Sequence, residues 1–391
     1  MFLPFQLSPV GESLLPIAQK IADEVARPHA KAVDSDSRFP AETIEALREA
    51  RLLGAYVPVE VGGEGASISD VAGVCYVLGQ ACSSAGMVYA MHQIQVACLV
   101  HHGLGVGGLR TYAQRLTAEQ LLLASATTEL GVGGDVRTSL CSVNLDETTF
   151  ALKKEAPVIS YADHCDAIFV TARRSSEAAS SDQVIVVVDR ADAELVQTGG
   201  WDALGMRGTC SNGYTLTARG ARDRVLPEPY AIISSMTMLP VTHILWASLW
   251  LGIATDAVNT ARSYLRTQAR KSAGDTPAIA SDVAALFAEL EMVSATVASS
   301  LRLYESLRCT PQSITDPGVV LRMNALKTSV SAAVVRIISQ AMHVLGISGY
   351  RNDSSLSVGR QLRDAHSASL MVHNERILQN SGRLLCVYKG L

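Results

Sequence analysis

The chain has no closely spaced cysteines. Its eight, Cys75, Cys82, Cys98, Cys141, Cys165, Cys210, Cys309 and Cys386, are scattered, with no CxxC and no ligand-like Cys/His spacing. That excludes a zinc ribbon or a disulfide framework, and leaves free thiols serving as small core hydrophobes. A basic excess is also lacking: the net charge is -4 with 18% charged residues, which argues against nucleic acid as a partner. The opening MFLPFQLSPVGES shows no basic segment followed by a long apolar one, and the most apolar later stretch, ILWASLWLGIA, is too short to span a bilayer. A cytoplasmic protein without a membrane partner is expected. No internal repeat or low-complexity linker divides the 391 residues, so two or three layers are expected to pack as one unit.

What is present is a change of texture along the chain. Residues 1–118 read as helical: Leu14, Ile17, Ala18, Ile21, Ala22 and Val25 recur at helical spacing, and Pro40 opens a second helix. From 119 to 232 short β-type runs appear, LLLASAT, TTFALKK, AIFVTARR, QVIVVVD and GYTLTAR, separated by Gly, Ser, Asp and Asn clusters. From 233 to 391 helical periodicity returns, with long runs at 238–271, 281–308, 316–345 and 361–385. Four such runs are the number a four-helix bundle needs. The fold class is therefore α+β, mostly α: a helical N-terminal domain, a β middle domain and a C-terminal bundle.

Three motifs lose their usual meaning in context. GLGVGG at 103–108 matches GxGxxG but follows a helix, with no βαβ unit around it. GISG at 346–349 lacks the strand-turn-helix setting of a hydrolase elbow. His101 and His102 stand at a helix end, where C-terminal capping suits them better than metal binding. SATTELGVGGDV at 125–136 is more informative, because hydroxyls and glycines between β segments expose backbone N–H groups to an anion or a heteroaromatic edge.

LLGAYVPVEVGGEGASISD (52–70), MVYAMH (87–92), TTELGVGGD (127–135), VISYADHCDAIFVTAR (158–173), LGMRGT (204–209), HVLGISGY (343–350) and RQLRDA (360–365) resemble, in order and spacing, the motifs of the acyl-CoA dehydrogenase family of flavoproteins. The resemblance covers nearly the whole chain. It implies a β-barrel-like middle domain, non-covalent FAD, a homotetramer or homodimer, an acyl-CoA or carrier-bound acyl thioester as substrate, and an electron-transfer flavoprotein as electron acceptor. Residue by residue, it sets Thr127 and Thr128 against the pyrimidine side of the flavin and Gly133 and Gly134 along its pyrophosphate. Ser160 takes the place near flavin N5 and Val158 that of a Trp over the ring. Gly346 and His343 fall in the loop that cradles the adenine end from a neighbouring subunit, and Asn374 joins the cofactor site. Gln268 and Lys271 stand where the family has Arg and Phe, with Arg270 near enough to substitute. His92 reads first as a core histidine bonded to backbone; the alternative, a substrate-site role, sets it at the entrance to the substrate cavity.

One residue is missing. Removing a proton from Cα while a hydride leaves Cβ requires a positioned base. The family's Glu falls nine residues after Arg363, at Val372, and a minority branch's Glu falls ten before Gly252, at Thr242. Neither position holds a carboxylate. Val372 keeps the backbone N–H that in the family binds the thioester carbonyl, so α-proton polarisation is retained. The candidate bases are His243, Glu375 and His373, an imidazole being matched to neutral pH by its ordinary pKa of about 6.5. Three activities follow from the resemblance: a dehydrogenase with a relocated base, a flavin monooxygenase needing no such base, or a non-catalytic flavoprotein.

Overall fold

The computed structural model describes residues 6–271, 275–308 and 310–390. Helix α1 (Pro9–Ile21) runs through a π-turn (Ala22–Ala26) into α2 (Arg27–Ser35), and α3 (Ala41–Glu49) follows with Pro40 at its N-cap, one position earlier than a first-turn proline. Ser67 and Asp70 form a capping box that starts α4 (Ile68–Ala81). The same Asp70 carboxylate also takes the Ser8 N–H at 2.8 Å and its hydroxyl at 2.6 Å, tying α1 to α4. Helices α4 and α5 (Ser83–His102) are buried on almost every face, as helices apolar all round must be. α6 (Gly107–Glu119) closes the N-terminal domain.

The middle domain contains two sheets. Strands β1 (Leu123–Ala126), β4 (Ala167–Arg173) and β5 (Gln183–Asp189) form one in the order β1-β4-β5, with β1 parallel to β4. Strands β2 (Val143–Leu145), β3 (Thr149–Ala156), β6 (Ala193–Gly199) and β7 (Gly213–Ala221) form an antiparallel sheet in the order β2-β3-β7-β6. All five β-type runs of the sequence reading are strands. β2 and β6 were not anticipated; β6 is largely exposed, and its AELVQTG shows no apolar alternation.

The C-terminal domain is built on α8 (Leu239–Lys271), α9 (Ala280–Ser306) and α10 (Pro317–Leu345), with short α7 (Tyr230–Ile233) ahead of them. The expected fourth long helix is two helices, α12 (Gly359–His366) and α13 (Asn374–Leu385), separated by a turn, and α11 (Ile347–Tyr350) is a single turn before them. Contrary to the expectation from ILWASLWLGIA, three helical stretches among the described residues are long and apolar enough to cross a membrane: Tyr230–Lys271, α9 and α10. The apolar window of the first is 78% buried inside the fold. Two glycines seat α8 on α4: a Cβ at Gly79 would come within 2.4 Å of the Leu249 carbonyl oxygen, and one at Gly252 within 2.2 Å of that of Tyr76. The N- and C-terminal domains thus share one core. Cys75, Cys82, Cys98, Cys141 and Cys165 are buried free thiols within the described residues, whereas Cys386 is exposed; Cys309 lies outside them.

Candidate functional site

A mostly apolar slot of about 320 Å³ lies where the three domains meet. Met87 and Met91, one turn apart on α5, form one wall; Val158 and Ser160, in the turn after β3, form the second. The loop between β6 and β7 supplies Trp201, Leu204, Met206, Thr209 and Ser211, and α12 with its following turn supplies Arg363, His366, Leu370 and Met371.

The RDA segment fixes this geometry. Asp364, buried, accepts from the Met206 N–H at 2.7 Å, while Arg363 pairs with Asp34 on α2. Burial raises the Asp364 carboxyl above its usual range. Gly205 has no room for a side chain, since a Cβ there would fall 2.3 Å from the Arg363 carbonyl oxygen. A hydroxyl chain lines the wall: Ser160 and Ser211 share a hydrogen bond of 2.8 Å, Ser211 and Thr209 one of 2.7 Å, and Thr209 donates to the Met206 carbonyl at 2.9 Å. Thr209 ends the LGMRGT motif and Ser211 lies two residues beyond it; neither stands out as a site residue in the sequence. Their chemistry depends on which side of the loop faces inward, which sequence does not carry.

Beside the slot lies a second cavity of about 630 Å³, which shares Ala203, Leu204 and Arg363 with it. Four cationic side chains, Lys31, Arg207, Arg360 and Arg363, line it against the single carboxylate of Asp34.

The glycine-rich loop after β1 is held from below. Glu129, buried, accepts from the Cys141 N–H at 2.6 Å, the Ser139 hydroxyl at 2.6 Å and the ammonium of buried Lys154 at 3.2 Å. Thr128 donates to the Val158 carbonyl at 2.9 Å, joining the loop to the slot wall, and Thr127 is half-buried beside it. Gly133 and Gly134 have φ of 59° and 76°, with open space where a Cβ on Gly133 would stand. Arg376, from α13, reaches over Gly134 and donates to the Gly133 carbonyl.

The candidate bases are dispersed. His243 is buried on α8 and does not line the slot; its Nδ1 faces the Met323 carbonyl at 3.1 Å and its Nε2 has no partner among the described residues. Burial, helped by the nearby Lys327 charge, lowers its pKa to about 4. Glu375, in the first turn of α13, and His373, at its N-cap, are exposed and off the slot. The imidazole that does line it is His366, which sequence reading passed over.

His92 does not reach the cavity either. Its Nδ1 accepts from the Leu123 N–H at 3.0 Å, so Nε2 carries the proton and donates to the Leu53 carbonyl at 2.8 Å. Burial holds the ring neutral, with its pKa lowered to about 4. It is a core histidine bonded to backbone, the first of the two readings above, and not the substrate-site residue of the second. His101 and His102 serve as side-chain partners rather than caps, to Tyr56 at 2.6 Å and to Glu228 and Thr237 at 2.7 and 2.8 Å. No cluster suited to a metal ion occurs among the described residues.

Val372 sits in the turn between α12 and α13 with φ of 48°, a left-handed conformation rare for a β-branched residue. Its carbonyl accepts from the Lys327 ammonium at 2.8 Å, and Lys327 donates also to Asn374 Oδ1 at 2.7 Å. The Asn374 side chain is thus turned to α10, where it also meets Ser331, and not to the slot. Among the described residues no hydrogen bond engages the Val372 N–H. Arg270, His343 and Gly346 are exposed at the ends of α8 and α10 and do not line the slot.

Comparison with known proteins agrees with this architecture. The chain is 24% identical over 375 residues to cyclohex-1-ene-1-carbonyl-CoA dehydrogenase of Geobacter metallireducens, covering 95% of this chain and 96% of that protein. Its fold matches FMN-bound TdsC of Paenibacillus sp. A11-2, a dibenzothiophene monooxygenase, with a TM-score of 0.84 at 19% identity, over 97% of this chain and 98% of that one. It also matches butyryl-CoA dehydrogenase of Megasphaera elsdenii, with a TM-score of 0.82 at 18% identity, over 98% and 99% of the two chains. Family models described as the N-terminal and C-terminal domains of acyl-CoA dehydrogenase match residues 12–106 and 232–372. Together with the fold, these matches establish that the chain belongs to the acyl-CoA dehydrogenase family of flavoproteins.

Proposed function

We propose that the protein is an FAD-dependent oxidoreductase that dehydrogenates the Cα–Cβ bond of an acyl group held as a thioester of coenzyme A or a carrier protein. The observation that carries this reading is Val372, whose N–H has no partner among the described residues while its carbonyl is anchored by Lys327. Val372 is not itself a lining residue but follows Met371, which lines the slot, and an N–H left free at that edge can polarise a thioester carbonyl and acidify the α-proton. The residues suit a flavin: an apolar slot beside Val158 and Ser160 accepts a planar ring, and the open space at Gly133, near Arg376, accepts phosphate. A flavin bound there supplies the hydride acceptor that no side chain can provide. Met87, Met91, Leu370 and Met371 keep water from the reacting carbons.

We place the proton acceptor at His366, since no carboxylate lines the slot among the described residues and His243 lies off its wall. The cationic cavity next to the slot suits the phosphorylated handle of a thioester carrier. The exposed ends of α8 and α10 are assigned to the adenine end of a second copy's FAD in a homodimer or homotetramer. Cytoplasmic location and an electron-transfer flavoprotein as acceptor belong to the same reading.

Anaerobic mixing with a panel of acyl-CoAs tests it: at least one chain length bleaches the yellow absorbance. His366→Ala lowers that rate by about 10²–10⁴-fold, whereas His243→Ala leaves it within a few-fold. A panel with no bleaching at any length rejects the dehydrogenase. A second reading, monooxygenation, is favoured by the same lack of a carboxylate. It predicts incorporation of labelled oxygen into a substrate once the flavin is reduced externally.

A further inference from the structure

Lys327 is buried in α10, and no salt bridge engages it among the described residues. Its acceptors are neutral, the Val372 carbonyl and Asn374 Oδ1. The other groups facing it are the His243 imidazole and, 5.9 Å from its ammonium, the Trp250 ring, both on α8. An ammonium taken out of water without an anion is costly, and an apolar side chain of similar volume would fill a bundle interior more cheaply. Bundle packing alone therefore gives no reason for a lysine here. What the lysine does contact is the residue in the strained left-handed conformation, at the position where the family's carboxylate is absent. Left-handed backbone at a β-branched residue is strained and persists where surrounding contacts over-determine it.

We propose that Lys327 is the positioning residue of the thioester site: by holding the Val372 carbonyl it locks the turn that presents the Val372 N–H, and its unpaired charge favours negative charge developing on the thioester oxygen. This rests on the thioester reading above. Met371, whose peptide bond carries that N–H, lines the slot, while Lys327 does not and holds the Val372 carbonyl. Lys327 itself touches no substrate.

The test is ligand discrimination by the flavin-loaded protein, measured calorimetrically with a saturated acyl-CoA thioester and the matching thioether, in which a methylene replaces the carbonyl. Wild type binds the thioester about tenfold or more tightly. Lys327→Met brings the two affinities within twofold, and Lys327→Arg restores most of the preference. Should the methionine variant not fold, Lys327→Gln, which keeps a donor without charge, loses the same preference. A folded Met or Gln variant that retains the full wild-type preference overturns the role of Lys327. A wild-type protein that binds thioester and thioether equally, or neither, overturns the thioester reading and this role with it.

Discussion

His92 and His243 are both uncharged at neutral pH, each held near a pKa of about 4 by burial, against about 6.5 for an exposed imidazole. As pH falls from about 6.5 to about 4, the unfolded chain takes up these protons before the folded one does. Stability is therefore complete above the unfolded value and drains through this window, by about 3 kcal/mol for each ring at its lower end. Urea titrations across pH 4 to 7 will show the slope, and His92→Gln will reduce it by about one proton. A variant slope equal to wild type would mean that the ring is charged inside the fold. MVYAMH showed that a histidine ends the motif but left two roles open for it. The decision came from the Leu53 carbonyl and the Leu123 N–H, partners 39 and 31 residues away in the chain.

Among the elements, β3 shows how far a sequence pattern reaches. Its alternation sets Phe150, Leu152, Lys154 and Ala156 on the buried face, so an inward lysine was legible, whereas its partner Glu129, across the sheet edge in the glycine-rich loop, was not. Lys154→Met leaves Glu129 buried with only its Ser139, Leu140 and Cys141 donors, and a cost of about 3 kcal/mol follows. Thermal melting will report this loss, and under the proposed function flavin content falls with it, because the same carboxylate ties together the ends of the loop that carries Gly133. The split of the last helix was hidden for a different reason. Residues 361–385 carry helical periodicity and no proline marks a break; the turn at Val372 is held by Lys327 from another helix, a tertiary contact that overrides local preference.

At the scale of the molecule, the three-part order helical, β, helical was readable because the period of apolar residues changes twice, near 119 and near 233. The joint between the outer parts was not readable, since it depends on Gly79 and Gly252 meeting where α4 crosses α8. Gly252→Ala forces that crossing apart against the Tyr76 carbonyl, with an expected loss of about 1–3 kcal/mol. A denaturation midpoint unchanged by this substitution would show that the crossing yields freely. The slot has its own dependence on the whole chain, because its walls come from α5, the β domain and the turn after α12, ending at Met371. During synthesis the last β-domain wall residue, Ser211, is followed by roughly 160 further residues before Met371 emerges. At ribosomal speeds of about 5–20 residues per second that interval lasts about 10–30 s. If the slot holds the flavin ring as proposed, that site cannot form before it ends; cofactor loading is then a late event, and a nascent chain stalled short of the C-terminal turn is expected to remain colourless however well its first two domains have folded.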